Sequence, residues 1–383
     1  MRRDDEFRGL FADEEHRDVH GYFAAHPELP PTPLRRLRSL AGTLDIDVLH
    51  AKDETKRFDV TAFKIAGVHY AVHRIGDEIA ARGFVCATAG NHGRAVAKVA
   101  RHKRIPCTVF VPSPKTADPV ERATHTARVT AMREDDATVV DVAGTYEEAL
   151  RQAAAFGAKT GATLLSDTSL PLSVAPPFRA APPFRAAPPF NAALTPAQTE
   201  LIDEQIPRWI MAGYTQLLEE AFSQWDVPPT LVIVQGGVGG LVCAAASWFA
   251  WRFGKDRPFF IAAEPDAAAC LLASAEAGRP VTIDSSLDTI MAGLRCAEPS
   301  AVAWPAVAAG VDAFVTVPDS AAVEALSLLS AAPEGERVEA GPSGACGLAA
   351  LIELARAREL VAVRSAAGLD RSSRAFVVIS EGP

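Results

Sequence analysis

From about Thr43 to Phe110, short apolar and β-branched runs alternate with amphipathic stretches: DIDVLHAKDE, TAFKIAGVHYAVHRIGDEIAARG, FVCATAG, NHGRAVAKVARHKR and CTVFVP. Gly, Asn or Pro marks each change of pattern, so the segment reads as strand, helix, strand, helix, strand. The same rhythm returns in TLVIVQGGVGGLVCAAASWFAWRF, in FFIAAEP and in the closing run AFVVIS. Strands separated by helices predict an α/β protein with mainly parallel strands. A chain of 383 residues is near the length at which one core gives way to two. The expectation is a larger domain from 1–84 and 136–383, with a smaller α/β domain inserted at 85–135.

One segment breaks the rhythm. SVAPPFRAAPPFRAAPPFNAAL holds the unit APPFRA twice and APPFNA once. Consecutive prolines remove amide donors and push their neighbours to extended conformations, which predicts a polyproline-like loop at 174–194. Two readings stand beside each other: a tolerated surface insertion, or a lid whose Phe178, Phe184 or Phe190 reaches the site.

Composition narrows the function. Apolar residues make up 49% and charged residues 22%, as in an ordinary folded protein. The net charge of −9 argues against nucleic acid as a partner and leaves small anions open. Cys86, Cys107, Cys243, Cys270, Cys296 and Cys346 are widely spaced without a C-x-x-C pair, so neither a zinc site nor a disulfide framework is expected and a reducing cytoplasm fits. No metal site is expected, and Cys296 and Cys346 read as packing residues. The opening MRRDDEFRGLFADEEHRD has no apolar core behind its arginines and does not read as a signal peptide, and no 18-residue apolar run predicts a membrane span.

Four segments carry chemistry in combination. In KDETKRFDVTAFKIAG, Lys64 sits just inside a helix start; alone it would read as a surface lysine with its charge in water. In ATAGNHGRAVA a strand ends at Thr88, and Ala89, Gly90, Asn91 and His92 lead into a helix whose first amides can hold a carboxylate. Asn91 could equally be a simple cap, and His92 reads as a structural hydrogen-bonding residue more readily than as a proton relay. In LVIVQGGVGGLVCAA, Gly236, Gly237, Val238, Gly239 and Gly240 join a strand to a helix. Such a loop lets backbone amides approach a phosphate, but the G-K-[ST] of a nucleotide P-loop is missing. Ser380 ends the last strand, at the edge where open α/β sheets gather ligands. An amine for a Schiff base, an amide for a ring oxygen, a glycine nest for a phosphate and a hydroxyl for a ring nitrogen together describe a pocket for pyridoxal 5'-phosphate (PLP).

In order, KDETKRFDVTAFKIAG, TAGNHGRAVA, PRWIMAGY, AEPDAAAC, TIMAGLRCAEPS and SGACGLAA resemble segments of the diaminopropionate ammonia-lyases, members of the fold-type II PLP enzymes. The resemblance runs from about Pro33 to Gly382. It implies a tryptophan-synthase-β-like fold of two α/β domains with the cofactor between them, and a homodimer. It implies that Lys64 carries PLP, that Asn91 bonds the ring hydroxyl, that residues 236–240 cradle the phosphate and that Ser380 meets the pyridine nitrogen. Asp167, in LLSDTS, matches a family acid in context and is carried over as catalytic. Thr88, Ala89, Gly90 and His92 are carried over as substrate-binding.

The chain departs from the family at informative places. The family's T-D-G-N-H-G reads Thr88-Ala89-Gly90-Asn91-His92-Gly93 here. The missing aspartate is associated with the D-isomer, and the A-G-N-H form resembles threonine and serine dehydratases. The expected activity is therefore α,β-elimination on L-2,3-diaminopropionate or a similar β-substituted L-amino acid. A dehydratase or β-replacement synthase is the alternative, and a degenerate PLP-binding partner protein is a third reading. Pro342, in PSGACGL, stands where an acidic residue is usual.

Overall fold

A computed structural model describes residues 6–88, 90–113, 119–144, 146–168 and 196–383. The strands among them are β1 (Leu34–Arg36), β2 (Val48–Asp53), β3 (Phe84–Ala87), β4 (Cys107–Pro112), β5 (Thr138–Val142), β6 (Thr163–Leu164), β7 (Leu231–Gln235), β8 (Phe259–Pro265), β9 (Ala313–Val317) and β10 (Arg374–Ile379). They form one sheet in the order β1-β2-β10-β7-β8-β9 and a second in the order β5-β4-β3-β6. Among these strands β1 is antiparallel to β2 and every other pairing is parallel; an isolated antiparallel bridge joins Ala62 and Glu381. The chain therefore has the α/β class that the alternating pattern predicts.

Two compact units divide the described residues: 6–63 with Tyr214–Pro383, and 64–168 with 196–213. The second is wider than the 85–135 segment expected from the sequence. Periodicity locates a strand but not its neighbours: β5 pairs with β4 and β6 pairs with β3, which draws everything up to 168 into this sheet. Conversely, β2 lies close before β3 in sequence yet joins the larger sheet beside β10. The proline-rich segment 174–194 lies outside the described residues.

In the first unit the sheet is covered on both faces, which explains why its strands read as continuous apolar runs instead of alternating ones. Leu231, Ile233, Ile261, Ala375 and Val377 share a core with the helix Pro342–Arg356, through Ala345, Leu348, Ala349 and Ile352. Phe376 and Phe260 point the other way, onto Phe249 of the helix Gly240–Phe253. Pro342 is explained by its position: it opens the helix Pro342–Arg356, where a missing N–H costs nothing and the fixed φ suits the helix.

The second unit has a smaller core of Val85, Ala87, Phe110, Val142, Ala149, Leu150 and Ala153. Against the helix Lys64–Ile75, Gly213 comes so close that a Cβ there would lie 2.8 Å from Gly67 Cα. Only glycine permits that approach.

Beneath the end of β2 lies a fully buried ion cluster. Lys52 Nζ donates to Glu220 Oε2 at 2.7 Å and to Thr32 O at 2.6 Å. Arg57 bonds Glu54 through Nε and Nη2, and donates from Nη1 and Nη2 to Glu220 at 3.0 and 2.6 Å. Two cations and two carboxylates balance. The next residues, Phe58 and Asp59, both take positive φ, 49° and 60°, a conformation that costs about 1–3 kcal/mol per residue and persists only where its surroundings enforce it. Arg57 stacks over the Phe58 ring at 5.1 Å, so the cluster braces the strained turn.

Candidate active site

In the first unit the candidate residues gather at the C-terminal edge of the large sheet. Residues 236–240 pass from β7 into the helix Gly240–Phe253. Gly239 adopts φ +96°, which favours glycine, and a Cβ on Gly236 would lie 2.5 Å from Leu271 Cδ1. At Gly237 a Cβ would fall 3.0 Å from Cys296 Sγ. No described residue accepts a hydrogen bond from the amides of Gly237, Val238 or Gly239, although the Gly236 amide donates to Ala263 O at 2.8 Å. A loop of uncommitted amides at a helix N-terminus suits a phosphate.

The support under this loop was not expected from the sequence. Both oxygens of Glu264 accept backbone hydrogen bonds, from Leu271 at 2.7 Å and Leu272 at 2.8 Å, which fixes Leu271 against the glycines. Burial pushes the Glu264 carboxyl up to about 7, against the pull of those two amides.

Ser380 follows β10 at the same edge. Its carbonyl accepts from the Phe63 amide at 3.1 Å, the Ile379 carbonyl accepts from the Glu54 amide at 2.9 Å, and the Gly382 amide donates to Thr61 O at 2.8 Å. The chain leading to Lys64 is thus laced to the C-terminal tail. Ser380 Oγ receives a hydrogen bond from the side chain of Gln235, at 2.6 Å. Gln235 was missed by sequence reasoning; its position as the last strand residue before the glycines was the available signal.

In the second unit, Lys64 opens the helix Lys64–Ile75 and its Nζ forms an ion pair with Asp167 Oδ2. Both side chains are partly buried. Burial alone would raise the Asp167 carboxyl, but the charges of His92 and Lys64 hold it well below the usual carboxylate range. His92 is buried; its Nε2 is 3.0 Å from Leu165 O and its Nδ1 3.9 Å from Asp167 Oδ2. Facing a carbonyl, Nε2 carries the proton, a structural hydrogen bond as the sequence suggests. Asn91 begins the helix Asn91–Lys103, and the amide of Gly90, the residue before it, donates to Thr88 Oγ1 at 3.0 Å. Ala89 lies outside the described residues. Lys64, His92 and Asp167 are thus brought together in one unit, and the glycine loop with Ser380 in the other.

Cys270 and Cys346 are buried with their thiols raised, so neither is a thiolate nucleophile; Cys296 is partly buried. Among the described residues, no group of His, Cys, Asp and Glu is placed to hold a metal, and no helix is long and apolar enough to cross a membrane.

Known proteins resemble this chain along most of its length. The diaminopropionate ammonia-lyase of Salmonella typhimurium is 29% identical, over 95% of this chain and 88% of its own. The biosynthetic L-threonine dehydratase of Mycobacterium bovis is 25% identical, over 85% of this chain and 65% of its own. Among solved structures, diaminopropionate ammonia-lyase from Escherichia coli in complex with an aminoacrylate-PLP azomethine reaction intermediate superposes with a TM-score of 0.78 and 25% identity, covering 100% of this chain and 93% of that one. The family model for pyridoxal-phosphate dependent enzymes matches residues 26–363. With that span matched, the chain belongs to the pyridoxal-phosphate dependent enzyme family.

Proposed function

We propose that the protein is a PLP-dependent ammonia-lyase that eliminates the β-amino group of L-2,3-diaminopropionate, or of a closely similar β-substituted L-amino acid. The observation that carries this reading is the Lys64–Asp167 pair, in a chain similar to diaminopropionate ammonia-lyases along 95% of its length.

The residues present fit the cofactor. The amides of Gly237, Val238 and Gly239 would take the phosphate, Asn91 the ring hydroxyl, Ser380 the ring nitrogen, and Lys64 would carry the carbonyl carbon. When bound, PLP supplies an electron sink that acidifies the substrate Cα–H.

The protein's own work is then proton handling and orientation. Lys64 Nζ, as a free amine, would take the Cα proton. Asp167 Oδ2 holds the resulting ammonium close to where it formed and keeps it available to the departing β-amine, which leaves as ammonia. The substrate carboxylate would rest at the start of the helix Asn91–Lys103. Because the Gly90 amide already serves Thr88 Oγ1, the amide of His92 would do more of this binding. The released enamine hydrolyses in water, so L-2,3-diaminopropionate gives pyruvate and two ammonia.

Ala89 stands where the lyase family has an aspartate, which removes a base from one face of the substrate, so the D-isomer is turned over poorly or not at all. The same Ala-Gly-Asn-His segment, with the similarity to a threonine dehydratase, supports a second reading: elimination of water from L-serine or L-threonine. The assay that separates them measures 2-oxo acid and ammonia from L- and D-2,3-diaminopropionate, L-serine and L-threonine. Pyruvate with two ammonia from the L-diamino acid supports the lyase; turnover of the hydroxy amino acids alone supports the dehydratase. A synthase would release a new amino acid when a second nucleophile is added. We further propose a homodimer of the cytoplasm, supported by the family resemblance and by six free cysteines; light scattering tests the assembly.

A further inference from the structure

Gln235 is buried at the end of β7, and its amide nitrogen lies within hydrogen-bond distance of three acceptors: Val378 O at 3.0 Å, Gly344 O at 3.2 Å and Ser380 Oγ at 2.6 Å. An amide NH2 only donates. Turning the amide over would set its oxygen against two carbonyl oxygens, so the orientation is fixed by the backbone of β10 and of the helix Pro342–Arg356. Gly347 leaves room for it: a Cβ there would sit 3.0 Å from Gln235 Oε1. With two protons for three acceptors, the NH2 makes its shortest contact, 2.6 Å, to Ser380 Oγ, which therefore accepts there. Its own proton points elsewhere, and no described residue accepts it. A buried hydroxyl whose accepting side is used and whose proton finds no acceptor among the described residues is available to a ligand acceptor.

We propose that Gln235 is a positioning residue that makes Ser380 a one-way donor, so that the ring nitrogen of the bound cofactor is held as an unprotonated acceptor. This rests on the reading that the chain binds PLP with Ser380 at that nitrogen, and it adds the residue that sets the direction of the bond. An unprotonated ring is the weaker electron sink, which favours prompt departure of a β-substituent over the long-lived carbanion that transamination needs. In Gln235→Met, Val378 O and Gly344 O lose their donor and the Ser380 hydroxyl turns to serve one of them. Its lone pairs then face the cofactor.

The test is the nitrogen-15 resonance of ring-labelled PLP in the holoenzyme, in wild type, Ser380→Ala and Gln235→Met, with PLP affinity measured alongside. In wild type the resonance is that of an unprotonated, hydrogen-bonded nitrogen that does not titrate across neutral pH. Both variants displace it comparably, and Gln235→Met weakens PLP binding by about fivefold to tenfold, the worth of one hydrogen bond. Failure of wild type to bind PLP would overturn the cofactor reading and this inference with it. An unmoved signal in Ser380→Ala would overturn the Ser380 assignment on which the inference rests. Displacement in Ser380→Ala but not in folded Gln235→Met would overturn the inference alone. Should Gln235→Met not fold, neutron diffraction of the wild-type holoenzyme decides: deuterium on Ser380 Oγ directed at the ring nitrogen supports the proposal, and deuterium on the ring nitrogen refutes it.

Discussion

Replacing Glu220 by glutamine removes one of two carboxylates from a cluster that holds two cations out of water. Lys52, Glu54 and Arg57 are each 0% exposed and Glu220 is 5% exposed. In the wild type, burial alone would raise the Glu220 carboxyl, but Arg57 and Lys52 pull it down to about 2. That depressed value contributes stability above the ordinary glutamate range, and the contribution is lost as pH falls through about 2. Glutamine fails on two counts: Lys52 and Arg57 are left with Glu54 as the one carboxylate of the described cluster, and an NH2 must face either these donors at Oε2 or Arg57 and Gln216 at Oε1. Breaking a buried pair from one side costs about 3–5 kcal/mol. Burial already lowers the Lys52 amine, and without Glu220 it falls further, so Lys52 sheds its proton as pH rises and part of the cost disappears. A lysine lowered in the folded state binds fewer protons there than in the unfolded chain, so the variant gains stability with pH relative to wild type. Urea unfolding followed by tryptophan fluorescence, at mildly acidic and mildly alkaline pH, measures both effects. A loss under about 1 kcal/mol at acidic pH, or a loss that grows with pH, would refute the argument.

Asp167→Asn removes the carboxylate paired with the Lys64 amine, and the rate of 2-oxo acid formation should fall by roughly 10²–10⁴, the range for a lost proton-handling group; a change under about tenfold would remove Asp167 from the mechanism. Gly344→Ala sets a Cβ against the backbone of Glu381, with the amide nitrogen at 2.8 Å, where neither strand tail nor helix can yield. A loss of about 1–3 kcal/mol with weakened PLP binding is expected from the overpacking, and calorimetry with and without PLP checks it.

The parts of this molecule that were legible in the sequence are those that local chemistry writes: strands and helices with their punctuation, and Lys64, Asn91 and the glycines at element starts. Asp167 was legible only through resemblance, since nothing in LLSDTS itself announces an ion pair with a lysine 103 positions earlier. Gln235 and Glu264 were hidden for a different reason. Each is one polar residue at or next to the end of an apolar strand, and its role depends on backbone groups that only the assembled sheet brings near. The Lys52–Glu54–Arg57–Glu220 cluster needs β2 and the helix Gln216–Gln224 side by side, a long-range pairing that no local pattern encodes. Membership of the two sheets was illegible likewise, because a parallel strand reads the same whichever neighbour it joins.

The central claim is that Lys64 carries a cofactor that this chain uses to eliminate an amine from an L-amino acid. Its most direct test is the visible absorbance of purified wild type and Lys64→Ala, each supplemented with PLP and then titrated with L-2,3-diaminopropionate while pyruvate is followed. The expected result is a visible band from the lysine-linked cofactor in wild type that changes as the L-isomer is consumed and pyruvate appears, with band and turnover both absent in Lys64→Ala. A wild type that shows no such band, or a Lys64→Ala protein that keeps both band and turnover, would contradict it.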